Sequence, residues 1–257
     1  MRNTHIDHYD SLDRAVVAIG NDYPPGTLLP AHSHRRAQLL YGATGVMQVT
    51  TRDGNWVVPP QRAVWIPAGV THQVRMLDVS TRSAYLEPGA ARAQRTACEV
   101  IEVSPLLRQL LLDAVDMPAA YELAGRDGAL AALLVHEVDR ACVLPLHIPV
   151  PRDKRLAPLC RAFIAAPDAR QPPHAWAGRL HMSARTFSRY FHQQTGMSFS
   201  EWRQRACVVQ ALARLAAGAA VTAIALDFGY QSPAAFSTMF RRVLGRSPTE
   251  FLRQGLG

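Results

Sequence analysis

Lysine and cysteine are both scarce. Of the 28 basic residues only Lys154 is a lysine, and the four cysteines (Cys98, Cys142, Cys160, Cys207) lie far apart without a Cys-x-x-Cys pair. That spacing excludes a zinc ribbon and a disulfide framework and fits reduced thiols in a cytoplasm. No apolar run reaches the roughly 20 residues needed to span a bilayer. The start, Met1-Arg2-Asn3-Thr4-His5-Ile6-Asp7-His8, is polar and mixed in charge, unlike a signal peptide. Charged residues make up only 19% of the 257, whereas 48% are hydrophobic, enough for one large domain or two ordinary ones. Membrane, secreted and fibrous classes are excluded, and a cytoplasmic protein without a membrane partner is expected.

Acidic residues are missing from one half only. Residues 151–257 hold 14 arginines and Lys154 against five acids, a net of +10, while residues 1–150 carry a net of −2. A genome rich in arginine explains many arginines but not the loss of acids from one half. Ten excess positive charges on about a hundred residues attract polyanions, and a nucleic acid is the expected partner.

Residues 20–87 read as β structure. Short apolar or alternating runs (39–41, 46–50, 56–58, 64–66 and 73–77) are separated by Pro24-Pro25-Gly26, Gly42, Arg52-Asp53-Gly54, Pro59-Pro60 and Pro67-Ala68-Gly69. Turn chemistry every eight to twelve residues predicts a small sandwich or barrel. From Ser104 the period becomes helical. Ser104 reads as an N-cap before Pro105, with Leu106, Leu107, Leu110, Leu111 and Val115 on one face, and a second helix is predicted over 127–141 with Leu130, Leu133, Leu134 and Val138 on one side. Two uses are open to these helices: capping the β domain, or packing against a second copy as a homodimer interface. A Pro-rich segment (Pro145, Pro149, Pro151) suits a linker. Beyond it helices are predicted over 152–166, 173–180, 184–195, 199–217, 221–228, 233–244 and 248–254.

The basic half repeats itself at an offset of 49 residues. Ser183, Phe187, Ser188, Phe191, Gly196, Ser198 and Glu201 meet Ser232, Phe236, Ser237, Phe240, Gly245, Ser247 and Glu250 as identities. In each copy a Ser caps a helix, two Phe at i, i+4 anchor it, a Gly ends it in a left-handed cap, and Ser-x-x-Glu opens the next helix as a capping box. A short apolar helix precedes each copy. The pattern predicts two helix-turn-helix units separated by the helix 199–217.

The segment from Trp176 to Arg253 resembles the DNA-binding domain of AraC-type transcriptional regulators. The matching stretches are Ile224-Ala225-Leu226-Asp227-Phe228-Gly229-Tyr230-Gln231-Ser232, Phe236-Ser237-Thr238-Met239-Phe240-Arg241-Arg242 and Gly245-Arg246-Ser247-Pro248. The resemblance implies that helices 184–195 and 233–244 enter successive major-groove segments. Arg185, Ser188, Arg189 and His192 are then the exposed readers of the first. The second offers Pro233, Ala234, Ser237 and Thr238, with no long donor, and Arg241 and Arg242 as phosphate clamps. Sequence discrimination is accordingly expected to weigh on the first unit.

In the first half, Gly26, His32-Ser33-His34, Gln38 and Gly45, followed by Pro60 and Pro67-Ala68-Gly69-Val70-Thr71-His72, resemble the two cupin motifs. The resemblance implies a metal set of His32, His34, Gln38 and His72, with strand alternation expected to put His32 and His34 on one face. Gln38 stands where a carboxylate is usual. Three imidazoles suit nickel or zinc, and they equally suit a polar ligand pocket without metal. Tyr41, Trp56, Trp65 and Tyr85 are expected as walls of an effector pocket.

The expected fold is α+β with two domains: an N-terminal cupin (double-stranded β-helix, or jelly roll) over 1–100, a helical linker or dimerisation segment over 101–150, and an all-α bipartite helix-turn-helix domain over 151–257. The leading function is a transcriptional regulator that answers to a small molecule or metal, with RNA polymerase as a partner if it activates. The alternative is a metal-dependent cupin enzyme with a basic helical tether. It is weakened by the missing carboxylate and by the absence of a recognisable acid–base pair.

Overall fold

The computed structural model describes residues 4–77, 79–91 and 95–253. In chain order the elements are β1 (Val16–Tyr23), β2 (Leu28–His32), β3 (Ala37–Gly42), β4 (Val46–Thr51), β5 (Gly54–Val58), β6 (Arg62–Ile66), β7 (His72–Leu77), β8 (Val79–Leu86) and β9 (Glu99–Glu102). Then come α1 (Pro105–Ala114), α2 (Arg126–Arg140), β10 (Val143–Leu144), β11 (His147–Pro149), α3 (Leu156–Ala165), α4 (Pro173–Arg179), α5 (Ala184–Thr195), α6 (Phe199–Ala216), α7 (Val221–Asp227), α8 (Pro233–Leu244) and α9 (Pro248–Arg253). They form two compact units, Met1–Thr51 with Val58–Leu144, and Arg52–Val57 with Pro145–Gly257. Of the helix expected over 248–254, residue 254 lies outside the described residues.

In the first unit β1-β8-β3-β6-β9-β10 form one sheet, and β7 pairs with β2 on one side and β4 on the other. All described pairs are antiparallel. Register decides which face each side chain takes, because side chains alternate along a strand. On β3, Leu39 lies opposite Trp65 and Ala84, whereas Gln38 lies opposite Ile66 and Tyr85. Leu39, Tyr41, Trp65, Ala84 and Leu86 form one apolar layer with Leu107, Leu110 and Leu111 of α1 and Leu130, Leu134 and Val138 of α2. The two helices therefore cap this sheet, the first of the uses left open above. Ser104 caps α1 by accepting from the Leu107 N–H at 3.0 Å. Leu106 and Leu133, expected on the buried stripes, are instead exposed; the buried stripe of α2 takes Ala131 and Val135 in addition.

The Pro-rich stretch is not a featureless linker. His147, Ile148 and Pro149 pair with Trp56, Asn55 and Gly54, so β5 and β11 form a short ladder in the second unit. Pro149 lies on β11, an edge strand, where a missing N–H is tolerated. The His147 ring stacks on Trp56 at 4.6 Å between centroids and 14° between planes. A side chain at Gly54 would meet His147 Nε2 at 2.4 Å, so glycine is what lets the ring lie there.

The rest of the second unit is helical. Phe187 and Phe191 of α5 pack with Trp176, Phe199 and Trp202 at ring separations of 5.3–6.4 Å. In the second lobe Phe236 and Phe240 pack with Phe228, Tyr230 and Phe251. Both pairs are buried, and α6 joins the lobes with Trp202 anchored by a hydrogen bond to the Pro149 carbonyl at 2.8 Å.

Candidate nucleic-acid interface and histidine cavity

Each recognition-type helix is set by the residues that repeat. Ser183 Oγ accepts from the Thr186 N–H at 3.2 Å and Ser232 Oγ from the Ala235 N–H at 3.1 Å. Gly196 and Gly245 close the helices at φ 72° and 75°. Ser198 with Glu201 and Ser247 with Glu250 form reciprocal capping boxes. The turns before the two helices differ by one residue. The Met182 N–H reaches the Ala177 carbonyl just as Tyr230 reaches Ala225, yet the serine cap follows Met182 at once and Tyr230 only after Gln231. The left-handed position is His181 (φ 54°) in the first turn and Gly229 (φ 75°) in the second.

Arg185, Ser188, Arg189 and His192 are exposed and share one face of α5 at i, i+3, i+4 and i+7. Ala234, Ser237, Thr238 and Arg241 take the equivalent face of α8; Ser237 is half-buried and the others exposed, as is Arg242 beside them. The Ser188 hydroxyl donates back to the Ala184 carbonyl at 3.0 Å, which leaves Arg185, Arg189 and His192 as the outward donors of this face. Other arginines of this unit are neutralised in place: Arg170 by Asp168 at 2.8 Å and Arg214 by Asp227 at 2.5 Å. Among the described residues no carboxylate pairs with Arg185, Arg189, Arg241 or Arg242. Their charge is free for a phosphate or a guanine edge.

In the first unit His32, His34 and His72 converge, with candidate ligand atoms all within 4.8 Å of one another. The β2–β7 register sets His32 opposite His72. His34 lies past the end of β2, so its place is not a product of strand alternation as expected. The Gly69 N–H holds its backbone by donating to the His34 carbonyl at 2.8 Å, from a turn in which Gly69 has φ 74°. His32 Nδ1 lies 2.7 Å from the Pro30 carbonyl and His72 Nδ1 2.9 Å from that of Val70. A carbonyl only accepts, so both protons sit on Nδ1 and both Nε2 atoms keep a lone pair. Gln38 Nε2 donates to Ser83 Oγ at 3.2 Å and to the Tyr85 hydroxyl at 3.1 Å. His34 Nε2, His72 Nε2, Gln38 Oε1 and Asn21 Oδ1 are buried without a partner at full hydrogen-bond geometry, and the Gln38 side chain lies close enough to act on the His34 ring. Burial, reinforced by the neighbouring rings, pushes His34 down to about 4, and burial also lowers His72.

These groups line a cavity of about 300 Å³ floored by Leu29, Leu40, Val74 and Met76. Of the four aromatic walls expected, only Tyr85 lines it. Tyr41 and Trp65 point to the helix-covered face, because they are odd-numbered on strands whose even-numbered Gln38, Leu40, Val64 and Ile66 face the other way. Trp56 is occupied by His147 in the second unit. Sequence reasoning missed Thr4, His5, Ile6, Asn21, Tyr23 and Ser83. Ser83 was legible from its alternation with Tyr85. The N-terminal residues carry no periodic signal; Ile6 is held by a small apolar cluster with Val17, Ile19 and Tyr85.

A family model described as a helix-turn-helix domain matches residues 176–254, and one described as a cupin domain matches residues 22–80. The HTH-type transcriptional regulator NimR of Escherichia coli (strain K12) is 32% identical over 224 residues, which is 87% of this chain and 82% of the relative. The HTH-type transcriptional regulator RipA of Corynebacterium glutamicum is 31% identical over 111 residues, 42% of this chain and 33% of the relative. Among solved structures, the DNA-binding domain of AdpA in complex with a target DNA is 31% identical, covering 40% of this chain and 93% of that chain at a TM-score of 0.37. No helix among the described residues is long and apolar enough to cross a membrane. The repeated capped helices, the two family matches and a relative aligned over most of its length together make this chain a member of the AraC-type helix-turn-helix transcriptional regulators, with a cupin domain ahead of the DNA-binding domain.

Proposed function

We propose that this regulator binds double-stranded DNA sequence-specifically through α5 and α8, and that a divalent transition ion or small molecule in the histidine cavity modulates its binding or activation. The observation that carries the effector half is the set of orphaned acceptors. The Nδ1 hydrogen bonds of His32 and His72 orient their Nε2 lone pairs as in metal sites whose ligands are fixed by a second layer of hydrogen bonds. The buried Gln38 Oε1 adds a neutral oxygen to the three imidazoles. Three nitrogens and an amide oxygen suit nickel or zinc. When bound, the ion supplies a fixed positive charge and a rigid tie between β2, the His34 loop and β7. His32, His34 and His72 hold it, and Gln38 orients against Ser83 and Tyr85.

Exposed Leu106 and Leu133 support a homodimer formed through the outer faces of α1 and α2. RNA polymerase is the further partner where the regulator activates. Action on DNA supports a cytoplasmic site of action. An effector shifts the DNA-competent population by its differential affinity for the two states and no more.

The test is equilibrium dialysis of Ni²⁺ and Zn²⁺ against the intact chain, with His32→Ala and His72→Ala as controls. One ion per chain, lost in both variants, is expected. Uptake unchanged in both would remove the assignment of these ligands.

A further inference from the structure

We infer that the histidine cavity takes a small organic anion of the carboxylate class as a direct ligand of the divalent ion, so that effector and metal bind as a pair. This rests on the metal-responsive reading above and adds the chemistry of the effector. Sixteen described residues line the cavity, and none is Asp, Glu, Lys or Arg. None of the donors lining the cavity brings a negative charge, neither the imidazoles of His32, His34 and His72 nor the amide oxygens of Gln38 and Asn21. Asp7, whose field reaches His34, is exposed to solvent and lies against His5 at 3.1 Å. A divalent ion held by these groups alone keeps two uncompensated positive charges in a largely enclosed space, which is costly until an anion joins it.

The amide at position 38 is fixed as an amide. Its nitrogen is spent on Ser83 and Tyr85, so its oxygen is the end left over and no charge arises there at any pH. The remaining walls fit an organic acid rather than a bare halide. Leu29, Leu40, Val74 and Met76 offer an apolar floor. The Tyr23 hydroxyl accepts from Asn21 Nδ2 at 3.0 Å and keeps its own proton for a carboxylate oxygen. A volume of about 300 Å³ lies at the small end of ligand sites, so the acid is small. Three imidazoles and one amide oxygen leave further positions open on a six-coordinate ion such as Ni²⁺ or Co²⁺, where an exogenous ligand can bind.

The test uses Co²⁺ as a spectroscopic ion on the intact chain, with azide and acetate as anionic probes and acetamide as the neutral control. The visible spectrum is expected to change with azide and acetate but not with acetamide. By reciprocal linkage, acetate is expected to tighten Co²⁺ binding by about fivefold or more. Gln38→Glu supplies the missing charge from the protein. It is expected to bind Co²⁺ about tenfold more tightly without any anion and to lose the acetate effect. Should that variant not fold, the wild-type titrations decide alone. Stoichiometric Co²⁺ uptake with a spectrum and affinity indifferent to azide and acetate would overturn the inference while the metal site stands. Failure of Co²⁺ to bind with or without anion would remove both.

Discussion

Arg189 on α5 and Thr238 on α8 occupy the same position of two structurally equivalent helices, each exposed six residues beyond its serine cap. Their chemistry differs. Arg189 carries a forked set of donors able to reach guanine O6 and N7 together, whereas Thr238 offers one short hydroxyl and a methyl. One turn earlier the contrast repeats, with Arg185 against Ala234. On the function proposed above, the first helix-turn-helix is the one that discriminates bases. On the same proposal the second holds the phosphate backbone through Arg241 and Arg242.

Arg189→Ala should cost about 1–3 kcal/mol on the preferred operator and relax preference at one or two adjacent base pairs. Thr238→Ala should cost less, and Arg241→Ala should weaken all sequences alike while lowering the salt slope by about one. Fluorescence anisotropy on an operator selected from random duplexes, with single base-pair changes, measures all three. Equal relaxation by Arg189→Ala and Thr238→Ala would contradict the division of labour.

Much of this half was legible in the sequence because its signals are local. A serine cap, two phenylalanines four apart, a left-handed glycine and a capping box each act within one or two turns, so α5 and α8 fall where their spacing puts them. The extra Gln231 was not legible, because the alignment from Ser183 onward hides a change of register in the preceding turn. The β half was harder. Tyr41 and Trp65 looked like pocket walls, but strand alternation only says that they share a face, and α1 and α2 decide that this face is covered by helices. Gln38 and the three histidines could be named from their motifs. The free acceptor on Gln38 and the role of Gly69 needed the pairing of distant strands.

Gly54→Ala should destabilise the β5–β11 ladder, since the added methyl would meet His147 Nε2 at 2.4 Å and the Ile148 carbonyl at 3.0 Å. Relieving that clash means unstacking His147 from Trp56, a cost of about 1–3 kcal/mol by analogy with overpacked cores. Urea denaturation followed by tryptophan fluorescence reads the change. A midpoint equal to wild type would show that the ring moves aside freely.

Burial, and next the charge of Arg205, push His147 down to about 4. The unfolded chain takes up that proton near the ordinary histidine value of about 6.5. The stabilising contribution is therefore complete above about pH 6.5 and is lost as pH falls towards 4. His147→Phe keeps an aromatic ring against Trp56 and removes the titration, so its loss of stability between pH 7 and pH 5 should be shallower than that of the wild type. It should not be flat, because His34 and His72 are also held below the ordinary range. Urea midpoints at the two pH values, in the presence of a chelator, make the comparison; identical slopes would contradict it.

Burial raises the Cys160 thiol to about 12 and the Cys207 thiol to about 11, whereas Cys142 is exposed. A maleimide applied to the folded protein at pH 7.5 should label Cys142 first and leave Cys160 and Cys207 unmodified until denaturant is added, as read by peptide mass spectrometry. Early labelling of Cys160 would mean that the aromatic core around Phe163 and Trp176 opens readily.

Cavity and DNA reader are coupled if the operator affinity of the intact chain depends on what the histidines hold. The decisive measurement is the dissociation constant for the selected operator at fixed salt, with saturating Ni²⁺ and with chelator, in wild type and His72→Ala. The wild type should shift by about fivefold or more between the two conditions and His72→Ala by none. A wild-type affinity unmoved by Ni²⁺, with the ion demonstrably bound, would contradict a metal-responsive regulator.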